Sequence, residues 1–377
     1  MRDGRTACVS ARGHYDVSVT ANVRPAADRC PGLLRPHQAD DGLVIRLRIP
    51  GGQTTSPTLL ALTELAGTLQ LTSRGNIQLR GIEQKELASV TERIRGLALL
   101  PSPSHELVRN IVASPLTGLT QHRPDVRRFV AELDAAICAE PELADLPGRF
   151  LFAVDDGSAD VWSLAFDVGY RALDTRWGLV AVGGGFDPDP AGMAGRMMSS
   201  GAALAEMVRI AADFARARRT GKPAWRIWEL DDFASGLAPR RDDVGVAAPP
   251  LGAVAGAASV GVPLGFLTST QAAAIHEAAC GGPVVVTPWR SLIIPAAAAK
   301  TEALRRSGLI IDSGSPWTKI TACVGAPGCA KSFLDTRQLA VQIADHGPRP
   351  ARPLHISGCG RRCGAPSADH DELVGSR

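Results

Sequence analysis

Two cysteine pairs stand near the end of the chain, "CVGAPGC" at 323–329 and "CGRRC" at 359–363. Four thiolates at such spacing suit either a structural zinc or an iron–sulfur cluster. Zinc knuckles usually pair their cysteines as C-x2-C or C-x4-C. Here the pairs are C-x5-C and C-x3-C with 29 residues between them, which suits a cubane cluster held by two loops better. Gly325, Gly328, Gly358 and Gly360 lie beside the thiols and let backbone N–H groups approach a cluster's sulfides. Zinc, and four unrelated thiols, remain the competing readings. Cys8, Cys30, Cys138 and Cys280 have no partner spacing. Cys138 and Cys280 fall in helical patterns and are expected to be buried small hydrophobes.

Arginine is the second group of chemical interest. Lysine and arginine total 41, yet lysine occurs only at 85, 222, 300, 319 and 331. A GC-rich genome accounts for such a bias. So does recognition of carboxylates, which the planar guanidinium grips bidentately. Arg46, Arg74 and Arg109 each sit at the end of a strand-like segment, where an arginine is by default solvated.

The elements that must position these residues read as a repeated unit. "GLVIRLRIP" (42–50) and "LQLTSRGNIQLRGI" (69–82) alternate as strands, while "SPTLLALTELAGTL" (56–69) and "EQKELASVTERIRGLAL" (83–99) have helical spacing. The same order returns as a strand over 258–267, a helix over 269–282, a strand over 283–295 and a helix over 296–309. "LTSRGNIQL" (71–79) lies over "VTPWRSLII" (286–294), and "RNIVASP" (109–115) over "TACVGAP" (321–327), a duplication with a period of roughly 210–215 residues. Between the copies, "GRFLFAVDDG" and "DVWSLAFDVG" (148–169) and "GLVAVGGG" (178–185) read as strands, and 194–219 as one long helix.

These patterns predict a loose segment over 1–28 and a ferredoxin-like half domain over 29–100. A first α/β domain follows over 101–235, then a Gly/Ala/Pro-rich linker over 236–258. A second half domain spans 259–310, and a cysteine-bearing segment spans 311–377. The last stretch, "APSADHDELVGSR", leaves little room for a closing strand, so the second α/β unit is expected to be shortened.

Composition narrows the class. The chain has 377 residues, is 45% hydrophobic and 21% charged, and carries a formal net charge of +3. It is long enough for two or three domains with a large core. No apolar run approaches the ~18–20 residues of a membrane span. The first residues lack the apolar centre of a secretory signal. No basic block suggests a nucleic-acid surface. A cytoplasmic protein with reduced thiols is expected.

C-x5-C followed by C-x3-C near the end of a duplicated α+β chain resembles the sulfite and nitrite reductase family. "RLRIPGG" (46–52), "LTSRGNIQLRGI" (71–82), "VRNIVASP" (108–115) and "ACVGAPGC" (322–329) are similar to that family's landmarks. The resemblance spans nearly everything from residue 30 onward. It implies a duplicated fold of two pseudo-symmetric halves, each with a ferredoxin-like half domain and a mixed α/β domain that binds cluster and tetrapyrrole. It implies that Cys323, Cys329, Cys359 and Cys363 hold a [4Fe-4S] cluster, with Cys363 in the position that bridges to a siroheme iron. It places Arg46, Arg109 and Arg149 where the family binds the small anion being reduced, and Thr72, Arg74 and Gln78 at the tetrapyrrole carboxylates.

The pattern breaks at one informative place. Where the reductases have two lysines, this chain has Arg149 and Leu151. Reduction of sulfite by six electrons needs as many protons, and an apolar residue there removes part of the cationic pocket that supplies them. Gly148 and Arg361 also stand where the reductases tend to have other polar groups. "RCPGLLRPHQADDGLVIRLRIPGG" (29–52), "LPGRFLFAVDDG" (146–157) and "TPWRSLIIP" (287–295) are more similar to the precorrin-3B synthase branch. That branch implies precorrin-3A as a tetrapyrrole substrate, hydroxylated at C20 with O2 while a ring-A acetate closes a γ-lactone. Electrons would come from a donor such as NADH or ferredoxin. A non-haem iron is implied as well. Its usual ligands, two histidines and a carboxylate, are not evident, because His37, His105, His122 and His355 are scattered. A siroheme-dependent sulfite or nitrite reductase is the alternative reading, and a non-catalytic iron–sulfur protein a further one.

Overall fold

The structure is a computed structural model that describes residues 28, 30–184, 186–187, 195–221, 223–234, 238–239, 248–366 and 369–376. The predicted loose segment with Cys8, and the middle of the predicted linker, lie outside them.

Chain order begins with β1 (His37–Ala39), β2 (Gly42–Leu47), β3 (Gln53–Thr55), α1 (Ser56–Ala66), β4 (Thr68–Leu71), β5 (Ile77–Ile82) and α2 (Leu87–Gly96). Next come β6 (Ile111–Ala113), α3 (Arg127–Ala139), β7 (Phe152–Asp155), β8 (Val168–Ala172), β9 (Trp177–Val182), β10 (Phe186–Asp187), β11 (Arg196–Ser199), α4 (Ser200–Thr220), α5 (Asp231–Ala234) and β12 (Ala238–Pro239). The second copy supplies β13 (Gly252–Val254), β14 (Ala257–Gly261), β15 (Phe266–Thr268), α6 (Ser269–Ala278), β16 (Pro283–Val286), β17 (Ser291–Ile294) and α7 (Thr301–Arg306). It closes with β18 (Ile320–Ala322), α8 (Thr336–His346), β19 (Leu354–Ser357) and β20 (Asp371–Val374).

The architecture is the α+β duplication read from the sequence, with the copies interlocked. One antiparallel sheet has the order β1-β2-β5-β4-β15 and the other β13-β14-β17-β16-β3. Each copy therefore lends one short strand to the other's sheet: Phe266–Thr268 pairs with β4, and Gln53–Thr55 pairs with β16. The sheets bury one common core, with Ile45, Leu69 and Leu79 on one side and Val260, Val284 and Leu292 on the other. Helices α1 and α6 open identically, the hydroxyls of Thr55 and Thr268 accepting the N–H of Thr58 and Gln271.

The duplication extends to single hydrogen bonds. Thr72 Oγ1 accepts from the N–H groups of Arg74 (3.4 Å) and Asn76 (3.1 Å), and Thr287 Oγ1 from those of Trp289 (3.2 Å) and Ser291 (3.4 Å). The two turns lie close together about the pseudo-twofold. A Cβ on Gly52 would meet the Val286 carbonyl oxygen at 1.9 Å, and one on Gly265 would meet the Leu71 carbonyl at 3.1 Å. With φ of +69° and +78° as well, both positions select glycine.

A third sheet of order β11-β9-β8-β7-β6, with α3 and α4 against it, forms the first α/β unit around Phe150, Phe152, Leu133 and Phe214. Its parallel β6-β7-β8 run is repeated by β18-β19-β20 in the second copy. Here the structure corrects the expectation for the tail. "DELV" does form the closing strand, parallel to β19. The unit is nevertheless small: its buried apolar core is Ile320, Ala340 and Ile356. Two further differences are local. The helix expected over 296–309 is confined to Thr301–Arg306 after a 3-10 turn at Ala298–Lys300. The strand expected over 258–267 breaks at Pro263 into β14 and β15.

Candidate functional site

Strand alternation builds the first wall of the site. In β2, Leu43, Ile45 and Leu47 face the core, so Arg46 points to the opposite face. Register places Arg46 beside Gln78 of β5, and Gln78 beside Gln70 of β4. The three side chains form a chain of bonds: Arg46 donates to Gln78 Oε1 through Nε (3.3 Å) and Nη2 (2.9 Å), and Gln78 Nε2 donates to Gln70 Oε1 at 2.7 Å. Gln78 thus orients Arg46. Thr72 shapes the next turn, from which Arg74 reaches the Gly148 carbonyl at 3.2 Å.

Around these lie Arg48, Arg149 and Arg226. Burial holds the Arg46 guanidinium below its ordinary value, with Cys30 opposing and the charges of Arg74 and Arg149 adding. Burial lowers Arg74 in the same way. Arg48, which is 2% exposed, falls to about 9, through burial first and the charge of Arg46 second. Its Nη2 has no hydrogen-bond partner among the described residues. Arg226 falls to about 10 by burial, against the attraction of Asp167 at 3.2 Å. Arg149 is exposed and stacks over Trp225 at 5.1 Å, and Arg226 over Trp228 at 4.3 Å. Among the described residues, Arg46, Arg48, Arg74 and Arg149 have no carboxylate within ion-pair distance. Concentrated guanidinium charge without carboxylate partners can hold an anion.

Arg109 is not part of it. This arginine is 5% exposed and is held bidentately by Asp134 of α3, Nε to Oδ1 at 2.7 Å and Nη2 to Oδ2 at 2.6 Å. Its neighbour Asn110 does join the site: Asn76 donates to it at 3.1 Å, and it donates to the Gly148 carbonyl at 3.0 Å. Arg48, Asn76, Asn110, Asp167 and Arg226 were not found from the sequence. The even alternation of β2 carries past Arg46 to Arg48, which is the one signal that was available.

Leu151 is 4% exposed and packs with Val112, Ala153, Val161 and Phe166, bordered by Trp162 and by Trp289 from the second copy. Its N–H donates to Asp167 Oδ2 at 2.8 Å, which ties this apolar cluster to the carboxylate that pairs with Arg226. Burial pushes Asp167 up to about 6 despite Arg226 and two backbone donors.

The cysteines follow β18 and β19. Cys323 extends the β18–β19 pairing, its N–H donating to the Ile356 carbonyl at 2.9 Å. The Gly358 N–H donates to Cys323 Sγ at 3.2 Å, a backbone donor aimed at sulfur. The Ala330 N–H is fixed to Asp40 at 2.8 Å, which docks the first cysteine loop on the β1–β2 turn. All four cysteines are free thiols; Cys323, Cys329 and Cys359 are partly buried and Cys363 is exposed. Burial raises the Cys363 thiol, and the charges of Cys323, Cys359 and Cys329 raise it further. No three Cys, His, Asp or Glu side chains among the described residues converge on a point that would hold a single metal ion.

The remaining candidates lie apart from the arginine cluster in the hydrogen bonds they make or in their exposure. His105 is bonded by Ser102 and Ser104 and by the Glu140 carbonyl. His355 is buried with its Nδ1 2.9 Å from Thr321 Oγ1, and His37 and His122 are exposed. Cys138 is half-buried on α3. Cys280 corrects the expectation: it lies beyond the end of α6 and is exposed, not buried. No described helix is long and apolar enough to cross a membrane.

Comparison with known proteins fits this geometry. The nitrite/sulfite reductase ferredoxin-like half domain matches residues 35–97. A precorrin-3B synthase of Sinorhizobium sp is 24% identical, covering 96% of this chain and 83% of that protein. The ferredoxin–nitrite reductase of Synechococcus elongatus is 26% identical, covering 88% of this chain and 76% of that one. The structure of the Mycobacterium tuberculosis NirA protein superposes with a TM-score of 0.60 at 20% identity, over 84% of this chain and 68% of that one, and so shares the fold. In its half-domain match, its interlocked duplication and relatives along nearly its whole length, the chain is similar to the sulfite and nitrite reductases and to precorrin-3B synthase, all of them oxidoreductases.

Proposed function

We propose that this chain is a precorrin-3B synthase-type monooxygenase of aerobic cobalamin biosynthesis. It would take precorrin-3A, insert one atom of O2 at C20 and release the other as water. Two electrons and two protons come from a reduced donor such as ferredoxin or NADH, and a ring-A acetate closes the γ-lactone. The observation that carries this reading is the meeting of two surfaces. Arg46, Arg74 and Arg149 offer guanidinium groups without carboxylate partners among the described residues, while the half-buried Trp162 and Trp289, packed over the buried Leu151 cluster, offer an apolar face for a macrocycle.

Cys323, Cys329, Cys359 and Cys363 fit a [4Fe-4S] cluster. All four are free thiols on the two loops that follow the parallel strands β18 and β19, and the Gly358 N–H is already aimed at the Cys323 sulfur, as a cluster bound there requires. When bound, the cluster supplies electrons one at a time. The protein's own contribution is to orient the carboxylates through Arg46 and Arg74, and to keep water from the wall around Leu151. A non-haem iron is different. The described residues offer no set of two histidines and a carboxylate for it, so no step is assigned to it.

Siroheme-dependent nitrite or sulfite reduction is the second reading, favoured by the nitrite reductase relatives. Leu151 weighs against it, because a buried leucine neither attracts a small anion nor delivers protons. Absorption of protein purified without oxygen separates the two. A broad shoulder at the violet edge alone is expected. A sharp Soret band with a red band would mean resident siroheme and would favour the reductase.

A further inference from the structure

Cys30 is a thiol that neither the cysteine loops nor a helix accounts for. It is free, 9% exposed, and lies in the segment that precedes β1. Its N–H donates to Asp28 Oδ1 at 3.0 Å, and its carbonyl accepts from Arg35 Nη2 at 3.2 Å. The next carbonyl, that of Pro31, accepts from Arg48 Nη1 at 3.1 Å, and Glu106 holds the N–H of Leu33 at 2.7 Å. These bonds fix the segment against the arginine cluster and set the Cys30 side chain over Gly148. A Cβ on Gly148 would lie 2.9 Å from Cys30 Cβ, 3.4 Å from Arg48 Nη2 and 3.5 Å from Asp28 Oδ1. A thiol, a guanidinium and a carboxylate therefore meet over one glycine.

Two of these groups are incomplete. Arg48 Nη2 and Asp28 Oδ2 are buried, and neither has a hydrogen-bond partner among the described residues, the Cys30 sulfur included. Asp28 as a whole is only 7% exposed. One atom is a donor and the other an acceptor. A single hydroxyl satisfies both, its oxygen accepting from Arg48 and its proton donated to Asp28. The charge of Cys30 is felt by Arg46, Arg48 and Arg74. Positive charge around sulfur separates reactive cysteines from inert buried ones, and it disfavours a metal ion at the same place.

We propose that Cys30 is an oxidation site, at which hydrogen peroxide converts the thiol to a sulfenic acid held between Asp28 and Arg48. The sulfur attacks one peroxide oxygen; an S–O bond forms and the O–O bond breaks. Sulfur gives up two electrons, the transferred oxygen keeps its own proton, and the departing oxygen leaves as water with the thiol's proton. The new S–OH is the hydroxyl that the unfilled pair lacks. With so little of Cys30 exposed, a reagent as small as peroxide suits the site better than a bulky disulfide. This inference does not depend on the tetrapyrrole reading.

The test treats anaerobically purified holoprotein with one equivalent of hydrogen peroxide. The protein is then unfolded in dimedone, a diketone that traps sulfenic acids, and the label is mapped by peptide mass. Cys280, an exposed thiol, is the internal reference. Cys30 should be labelled about tenfold faster than Cys280 or more, although it is far less exposed, the size of one charge-assisted hydrogen bond in the rate. Arg48→Lys keeps the charge and loses the Nη2 donor, so it should slow labelling of Cys30 several-fold and leave Cys280 unchanged. Labelling of Cys30 no faster than of Cys280 overturns the inference, and so does an unlabelled Cys30. Oxidation that runs on to sulfinic acid with no trapped intermediate overturns it as well, because the pair would then not hold the sulfenic acid. An unchanged Cys30 rate in folded Arg48→Lys overturns the role given to Arg48. The wild-type comparison needs no variant, so it decides the matter even where Arg48→Lys fails to fold.

Discussion

Replacing Arg74 with alanine should weaken tetrapyrrole binding without weakening the fold. Its guanidinium makes one hydrogen bond, at 3.2 Å to the Gly148 carbonyl, and no ion pair among the described residues. Arg46, Arg149 and Arg226 crowd it with like charge. A charge-assisted contact to a ligand carboxylate contributes ~1.5–3 kcal/mol in such surroundings. At ~1.4 kcal/mol per decade, its loss lowers affinity by about one to two orders of magnitude. Two effects on stability oppose each other. One hydrogen bond to a carbonyl is lost, about 1 kcal/mol. The repulsion that helps hold Arg46 and Arg226 below their ordinary values is relieved. The melting temperature of the free protein should therefore change little. Calorimetric titration of a polycarboxylate tetrapyrrole, paired with thermal melts, reads both quantities. Unchanged affinity in folded protein would refute the reasoning and return Arg74 to a solvated strand-end arginine. So would a large loss of stability, which would make it a structural residue.

Cys329→Ser should lose cluster iron and sulfide, and the β18-β19-β20 unit should lose protection against hydrogen exchange, since its apolar core is only Ile320, Ala340 and Ile356. Full iron and sulfide content would reject the ligand set. Leu151→Lys places an ammonium among Val112, Ala153, Val161 and Phe166, so the melting temperature should drop by several degrees, and affinity for sulfite should rise as tetrapyrrole affinity falls; sulfite titration and melts would check both. Asp155 and Asp167 are pushed up to about 6 by burial, so the fold holds their protons after the unfolded chain has released its own near pH 4. Stability contributed by that preference is full below about pH 4 and is lost as pH rises through about 6. For one such residue the step from 3.8 to about 6 corresponds to at most ~3 kcal/mol. Asp155→Asn should flatten the decline in melting temperature between pH 4 and pH 6, and an unaltered slope would count against the assignment.

The parts of this molecule that were legible in the sequence are those written in local pattern. The cysteine spacing marked the two loops that follow β18 and β19, and the return of strand, helix, strand and helix marked the duplication, down to Thr72 and Thr287 in matching turns. What escaped notice depends on partners far away in the chain. The exchange of β3 and β15 is invisible locally, because three residues such as "QTT" or "FLT" carry no record of the sheet they join. Arg109 was expected at the anion site with Arg46 and Arg149; its orientation is set by Asp134, which only the packing of α3 decides. Arg226 comes from a segment with no motif and is fixed by Asp167. The tail was read as too short for a strand, yet a strand of four residues suffices when β19 offers a parallel edge.

The central claim is that the arginine cluster and its apolar wall hold a tetrapyrrole for oxygen insertion. The most direct measurement is the mass of the product formed when anaerobically purified, reduced protein is given precorrin-3A and then 18O2. The account predicts a product carrying one 18O atom, with the second in water, and no turnover of nitrite or sulfite under the same reducing conditions. A product free of 18O, together with steady reduction of nitrite or sulfite, would contradict it.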